Sequence, residues 1–287
     1  MTESTAPKRP GFVRYTLAAC GHTFLLIRRR KQAFLLGLVA MAPVLLPTAA
    51  LLVATYFSEV KPEVRDGYRI FVRLAENVYL KVMAPLVALF LGSMLIGEEV
   101  ESQTISHVLT RPIPRSAWVV GKFLAYWLVT ALLMVLPLLL AFAICLSLED
   151  FSASPSNVRL LLEYCAIAAM AVFAYGALSM FFGALVKRPV ILGLFVVFGW
   201  QRVALLLPGV VDFLTIEKHL VALFPKVNVI REAAPVDAVL MMFQRKEFLL
   251  DASKAVSTLI VMSVLLLALT ALVVRLREYS KVRAVQG

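Results

Sequence analysis

The sequence predicts an all-α membrane protein with six transmembrane helices. Hydrophobic residues make up 61% of its 287 residues, and mean hydropathy is +0.87, whereas soluble domains hold roughly 45–50% apolar residues. Six apolar stretches (33–57, 79–97, 118–146, 160–186, 190–211 and 256–274) each run for roughly 19 residues or more. At 1.5 Å per helical residue, that length crosses a hydrocarbon core of about 30 Å. Charge supplies the third observation. Placing the N-terminus on one side leaves residues 1–32, 98–117, 187–189 and the tail from 275 on that same side. With Lys122, that side carries 16 of the 29 Lys and Arg but five of the 18 acids. The whole net charge of +11 therefore falls on one face, and the positive-inside bias makes that face cytoplasmic. A pI near 9.8 then reflects topology, and nucleic acid is not an expected partner.

These limits define one transmembrane domain, residues 1–287. Residues 1–32 form a cytoplasmic tail and interfacial helix, 33–274 the six-span bundle, and 275–287 a cytoplasmic tail. Six spans leave no room for a soluble domain of ~100 residues. Any soluble catalytic or energy-coupling module is expected on another chain. The polar, Pro-containing start predicts no cleavable signal segment. Cys20, Cys145 and Cys165 form no C-x-x-C pair. A Cys145–Cys165 disulfide is conceivable, because both fall near one surface of consecutive spans, but free thiols are the plainer expectation.

Ahead of the first span, Val13, Leu17, Cys20, Phe24 and Ile27 recur at spacings of four and three, opposite Thr16, Thr23 and Arg30. This pattern predicts an amphipathic helix lying in the interface. Arg28-Arg29-Arg30-Lys31 then anchors the first span against anionic headgroups. Residues 58–78 read as a charged outer loop able to form a short surface helix, and 147–159 as a tight connection. The fifth stretch is unusual. Residues 190–200 are too short to cross, and Gln201-Arg202 follow at a depth where charge is costly. The apolar clusters within 212–254 predict short helices that dip into, or rest on, the outer leaflet.

The most specific segment joins spans two and three. Glu98, Glu99 and Glu101 suit a first helical turn, where the dipole favours acids. Ile105, Val108 and Leu109 make an apolar face, and Pro112 and Pro114 end the helix. Ser116 is placed to cap the third span, with Lys122 snorkelling to the interface. Local physics fits an ordinary solvated loop as well as a helix that docks on a soluble partner.

The same residues carry a resemblance. Gly97-Glu98, Glu99, Glu101, Thr104, Leu109, Pro112 with Arg115, and Gly121-Lys122 resemble the signature of type-2 ABC exporter permeases. Gln103 and Pro114 stand where that family often has Gly and Ser. The resemblance covers the whole length in architecture and about 25 residues in motif. It implies the membrane-spanning permease subunit of an ATP-driven exporter. Two permeases, as a homo- or heterodimer, would pair above two cytoplasmic ABC ATPases that bind ATP and Mg. Residues 98–110 would form the coupling helix, with Glu98, Glu99, Glu101, Thr104, Leu109 and Arg115 meeting the ATPase. It also implies a multi-pass protein of a bacterial-type inner membrane with both termini cytoplasmic.

The chain itself offers no nucleotide loop, because Phe123 follows Gly121-Lys122 where G-x-x-x-x-G-K-[ST] is needed. The Glu98-Glu99 pair lacks the Arg of Glu-Glu-x-x-x-Arg membrane proteases, having Gln103 there. His22, His107 and His219 form no H-E-x-x-H and read as surface residues. No catalytic residue, metal or cofactor of its own is expected. The alternative reading is a secondary transporter or channel with Arg202, Gln201 and Trp200 in the substrate path. Against it, no carboxylate falls at mid-depth in any predicted span. Phe195, Phe198, Met170, Met180, Phe181 and Phe182 would line an apolar path, or equally pack helices.

Overall fold

A computed structural model describes residues 11–56, 66–101, 115–149, 151–186, 188–206, 215–226 and 251–276. Among the described residues the chain is helical, with five helices long and apolar enough to cross a membrane. The described helices in order are α1 (Phe12–Arg29), α2 (Lys31–Tyr56), α3 (residues 67–101), α4 (Arg115–Cys145), α5 (Pro155–Leu185), α6 (residues 189–206), α7 (Ile216–Val221) and α8 (Ala252–Leu276), of which α2, α3, α4, α5 and α8 are the five. The apolar part of α6, Pro189–Trp200, is shorter than a span.

Local chemistry sets the boundaries. α2 tightens into a 3-10 turn over Ala42–Val44, where Pro43 contributes no N–H to an α-helical ladder. The Asp66 carboxylate caps α3 by accepting from the Arg69 amide at 2.9 Å. α3 therefore begins at Gly67, twelve residues before the apolar stretch from Tyr79, and most of the expected outer loop is helix. Its charged residues are accommodated because they find partners inside the protein. α5 starts on Pro155 behind the Ser154 cap, so the expected tight connection ends earlier than read. Ser116 lies within α4 rather than ahead of it, because the helix already begins at Arg115.

α3, α4 and α5 make the centre. They approach closely through small residues, the arrangement that gives helices contact where lipid removes the hydrophobic drive to associate. A Cβ on Gly92 would collide with the Ser179 hydroxyl, and one on Gly176 with the Tyr126 ring. The Ser179 hydroxyl donates to the Ala88 carbonyl at 3.0 Å. The Tyr126 hydroxyl lies 3.4 Å from that same oxygen and 3.3 Å from the Val172 carbonyl. Trp127 Nε1 donates to the Ala169 carbonyl at 3.0 Å. α4 turns Tyr126, Thr130, Met134, Leu138 and Ala141 inward, and leaves Leu128, Leu132, Leu136 and Leu139 exposed on a lipid-facing stripe. α2 and α8 flank the centre with most of their apolar surface outward.

One end of the bundle is closed by aromatic rings. Phe71 meets Phe142, Phe151 and Tyr164 at centroid distances of 5.3, 5.9 and 5.9 Å. The Gly67 amide donates to the Glu149 carbonyl at 3.1 Å. A Cβ on Gly67 would lie 2.6 Å from the Cys145 carbonyl, so only glycine fits there. Cys20, Cys145 and Cys165 are all free thiols.

At the other end α1 packs along α4, mainly through the face opposite its apolar stripe. Thr16, Thr23 and Ile27 are buried, while Val13, Leu17 and Phe24 are exposed. The contact is backbone-close: a Cβ on Gly121 would stand 2.5 Å from the Thr16 carbonyl oxygen and 2.7 Å from Ala19 Cβ. Gly121→Leu should therefore push α1 from α4 and cost about 1–3 kcal/mol, the usual scale of overpacking. Lower thermal stability in detergent with faster amide exchange across Phe12–Arg29 is the expected result. Unchanged exchange there would show that this contact does not hold α1.

Candidate functional site

Two groups of polar side chains are enclosed among the apolar helices. The first clasps the ends of α1, α3 and α4. Lys122 is only 4% exposed. Its Nζ donates to the Leu95 carbonyl at 2.7 Å and sits 4.3 Å from the Trp118 ring centroid. It does not snorkel to solvent. α1 covers that side of α4, and the ammonium turns inward to a carbonyl and an aromatic face instead. Gly121 and Lys122 thus divide the work: the glycine admits α1, and the lysine ties α4 to α3. Thr23, Ile27, Leu91, Leu95 and Lys122 line one small pocket at this junction.

The second group follows α5. Tyr164 and Tyr175 stand eleven residues apart, about three turns, and so share one face of the helix. The Tyr164 hydroxyl donates to Glu76 Oε1 on α3 at 2.9 Å. The Tyr175 hydroxyl donates to Gln201 Oε1 on α6 at 3.3 Å. Glu76 lies within a π-helical stretch, Leu74–Met83, and Gln201 directly follows another, Phe195–Trp200. Wider π turns inside α-helices recur at functional positions, because they re-aim side chains and weaken the local ladder. Both acceptors are buried, Glu76 at 5% exposure and Gln201 at 4%. Tyr164 also carries the aromatic end, since its ring packs on Phe71. Tyr79, one turn beyond Glu76, is equally enclosed, yet its hydroxyl has no hydrogen-bond partner among the described residues.

Glu76 overturns one sequence reading. It falls in a helix long and apolar enough to span, about 13 Å along the axis from Gly67, whereas the sequence placed it in a loop and found no carboxylate at depth. The outer segment also departs from expectation. α7 packs against α5 and α8, and Glu217 and His219 are buried on it rather than on the surface. A six-residue helix carries no periodic signal that could have revealed this.

The other sequence-nominated residues separate. Gln201 turns inward to α5, while Trp200 is 45% exposed, so the two do not share a surface. Arg202 lies on α6 by its backbone, and its side chain is outside the described residues. Met180 and Phe182 are buried, whereas Phe195 is exposed. Glu98, Glu99 and Glu101 continue α3 as its last described turn. Their backbone belongs to the spanning helix past Gly97, so the dipole argument for a separate first turn does not hold for them. Thr104 and Leu109, with the rest of 102–114, lie outside the described residues. Arg115 opens α4.

These features define a multi-pass helical membrane protein whose enclosed polar side chains tie one helix to another. Residues 24–200 match the family model described as ABC-2 family transporter protein. The match spans more than half of the chain, which belongs to this family of transmembrane transporter components. No curated protein matches it.

The two tyrosines make opposite predictions. Tyr164→Phe strips a donor from a buried carboxylate and should cost about 1–3 kcal/mol. Tyr79→Phe removes an unsatisfied hydroxyl and should leave stability unchanged or raise it. Thermal unfolding of both variants in one detergent checks the pair, and equal losses would refute the assignment of their hydroxyls. At the clasp, Lys122→Met should lower stability by about 1–3 kcal/mol by leaving the Leu95 carbonyl without this donor. Wild-type melting of that variant would show the clasp to be dispensable.

Proposed function

We propose that the chain is the membrane-spanning permease subunit of an ATP-driven ABC exporter. It forms the substrate path, and a separate cytoplasmic ATPase binds ATP and Mg and supplies the energy. In this reading residues 190–211 complete a sixth span, and α1 lies in the cytoplasmic interface with its apolar face in lipid. Both termini are cytoplasmic in a bacterial-type inner membrane, and a second permease copy, identical or different, completes the path. The segment from Glu98 to Arg115 takes up movement of the ATPase through Glu98, Glu99, Glu101, Thr104, Leu109 and Arg115.

One observation supports this best. The Lys122–Leu95 hydrogen bond ties α4 to α3 close to the ends between which residues 102–114 run in sequence, and α1 packs on α4 there through Gly121. A push delivered there would reach three helices together. The family match includes the whole segment.

Gentle-detergent purification of the tagged chain from its native membrane should recover a stoichiometric ATPase with a phosphate-binding loop. The double variant Glu99→Arg, Glu101→Arg should insert normally, retain ATP hydrolysis and lose most transport in proteoliposomes. Unchanged transport would remove the coupling role from these acids.

A second reading has gained a specific support. A secondary transporter with Arg202, Gln201 and Trp200 in the path needs an intramembrane carboxylate, and Glu76, buried in a helix long and apolar enough to span, would serve as one. The readings part on energy source. ATP-dependent flux that survives collapse of the proton gradient supports the exporter, and gradient-driven flux by the chain alone supports the other.

A further inference from the structure

Among the described residues, three exposed cations stand within four positions of one another at the joint between α1 and α2. Arg28 and Arg29 close α1, Arg30 leaves the helix in an extended conformation (φ −84°, ψ 127°), and Lys31 opens α2. No side chain caps the start of α2 and no acid lies in its first turn, so the amide end adds to the positive field. Arg28, Arg29 and Lys31 are exposed and make no ion pair among the described residues. A surface cavity of about 390 Å³ opens there, lined by Arg28, Arg29, Arg30, Lys31, Phe34 and Leu35. No acid contributes to the lining. Its apolar wall is Phe34, 76% exposed, with Leu35, and Leu38 continues that exposed surface along α2.

We propose that this cavity is a binding site for one anionic phospholipid. The headgroup phosphate sits among the Arg28 and Arg29 guanidinium groups and the Lys31 ammonium, and the first acyl carbons lie on Phe34, Leu35 and Leu38. The joint combines what that molecule needs: a concentrated positive charge, and directly beside it an apolar surface running along a helix long enough to span. Guanidinium groups match phosphate oxygens in pairs, and the ammonium adds a point charge. A free phosphate would use the cations and leave Phe34 and Leu35 in water. An acidic protein segment would set polar backbone against the same apolar wall. The bound lipid would fix the angle at which α1 leaves α2, and with it the position of α1 on α4.

The test is intact-complex mass spectrometry of the full-length protein released from micelles. Phosphatidylglycerol and phosphatidylcholine of equal chain length are titrated in, with inorganic phosphate as competitor. The variant Arg29→Gln, Lys31→Gln keeps Arg28 and Arg30 to hold orientation, and Phe34→Ser leaves every charge in place. The wild type should retain one phosphatidylglycerol per chain and no phosphatidylcholine at the same concentration. The charge variant should bind phosphatidylglycerol about twenty-five-fold more weakly, at roughly five-fold per cation near an anionic lipid. Phe34→Ser should weaken it further than charge alone predicts. Equal retention of the two lipids overturns the site, as does undiminished phosphatidylglycerol binding by the charge variant. Full displacement by millimolar phosphate together with no effect of Phe34→Ser assigns a free-phosphate site instead. Loss of a co-purifying protein with lipid binding intact assigns the patch to a protein partner.

Discussion

Three helices meet at the carbonyl of Ala88, and the rest of the bundle depends on how closely they do so. In lipid, backbone groups have no water to fall back on, and apolar side chains gain little by leaving one apolar medium for another. Contact must come from small residues and from hydrogen bonds. Gly92 and Gly176 remove the side chains that would hold α3, α4 and α5 apart, and Ser179 and Tyr126 then reach the Ala88 oxygen. Replacing either glycine would displace the hydroxyl-bearing neighbour that makes those bonds. Close approach and polar satisfaction are therefore one constraint here. Larger features, the aromatic end at Phe71 and the Lys122 clasp, hang on opposite ends of this contact.

That logic explains which parts of the molecule could be read directly and which could not. Long apolar runs announce helices in membranes, so the cores of α2, α4, α5 and α8 lie where the sequence puts them. Charged ends mislead. α3 begins twelve residues early because Glu76 is satisfied by Tyr164, 88 residues away in sequence, and no local pattern carries information over such a distance. In α1 most of the apolar face is exposed, and the opposite face with Thr16 and Thr23 packs on α4, a contact that periodicity does not announce. Lys122 departs from expectation for that reason, since snorkelling assumes an open interface and α1 occupies it.

The candidate site was legible in part. The Gly121-Lys122 pair was recognisable as part of a motif, though its physical role, a close approach and a clasp, needed α1 and α3 in place. Gln201 was nominated for its polarity at depth, and it is indeed enclosed, but beside Tyr175 rather than beside Trp200. Glu76 and His219 were missed because each lay in a segment too polar or too short to register as part of the packed bundle. The pattern on α5, two tyrosines three turns apart, one meeting a π-helical segment of α3 and the other the residue just after a π-helical segment of α6, is visible only once α3 and α6 are set against it.

This pattern bears on how a bundle so tightly packed at Ala88 could move. A helix held by interdigitated small residues resists sliding, since each contact is lost outright once the backbones separate. The segments of α3 and α6 that meet the α5 tyrosines are a different material. Their π turns already depart from the regular ladder, and Tyr79 within one of them leaves a hydroxyl unsatisfied, a cost of about 1–3 kcal/mol that a changed register would relieve. Each meets α5 through a tyrosine hydrogen bond, worth about 1.5–3 kcal/mol where the partner is charged and about 0.5–1.5 kcal/mol where it is neutral. The penalty stored at Tyr79 and the bond at Tyr164 are thus of similar size and opposite sign. The bundle is thus packed most closely where α3, α4 and α5 meet at Ala88, and it holds Glu76 and Gln201, within and just after its π turns, against one face of α5.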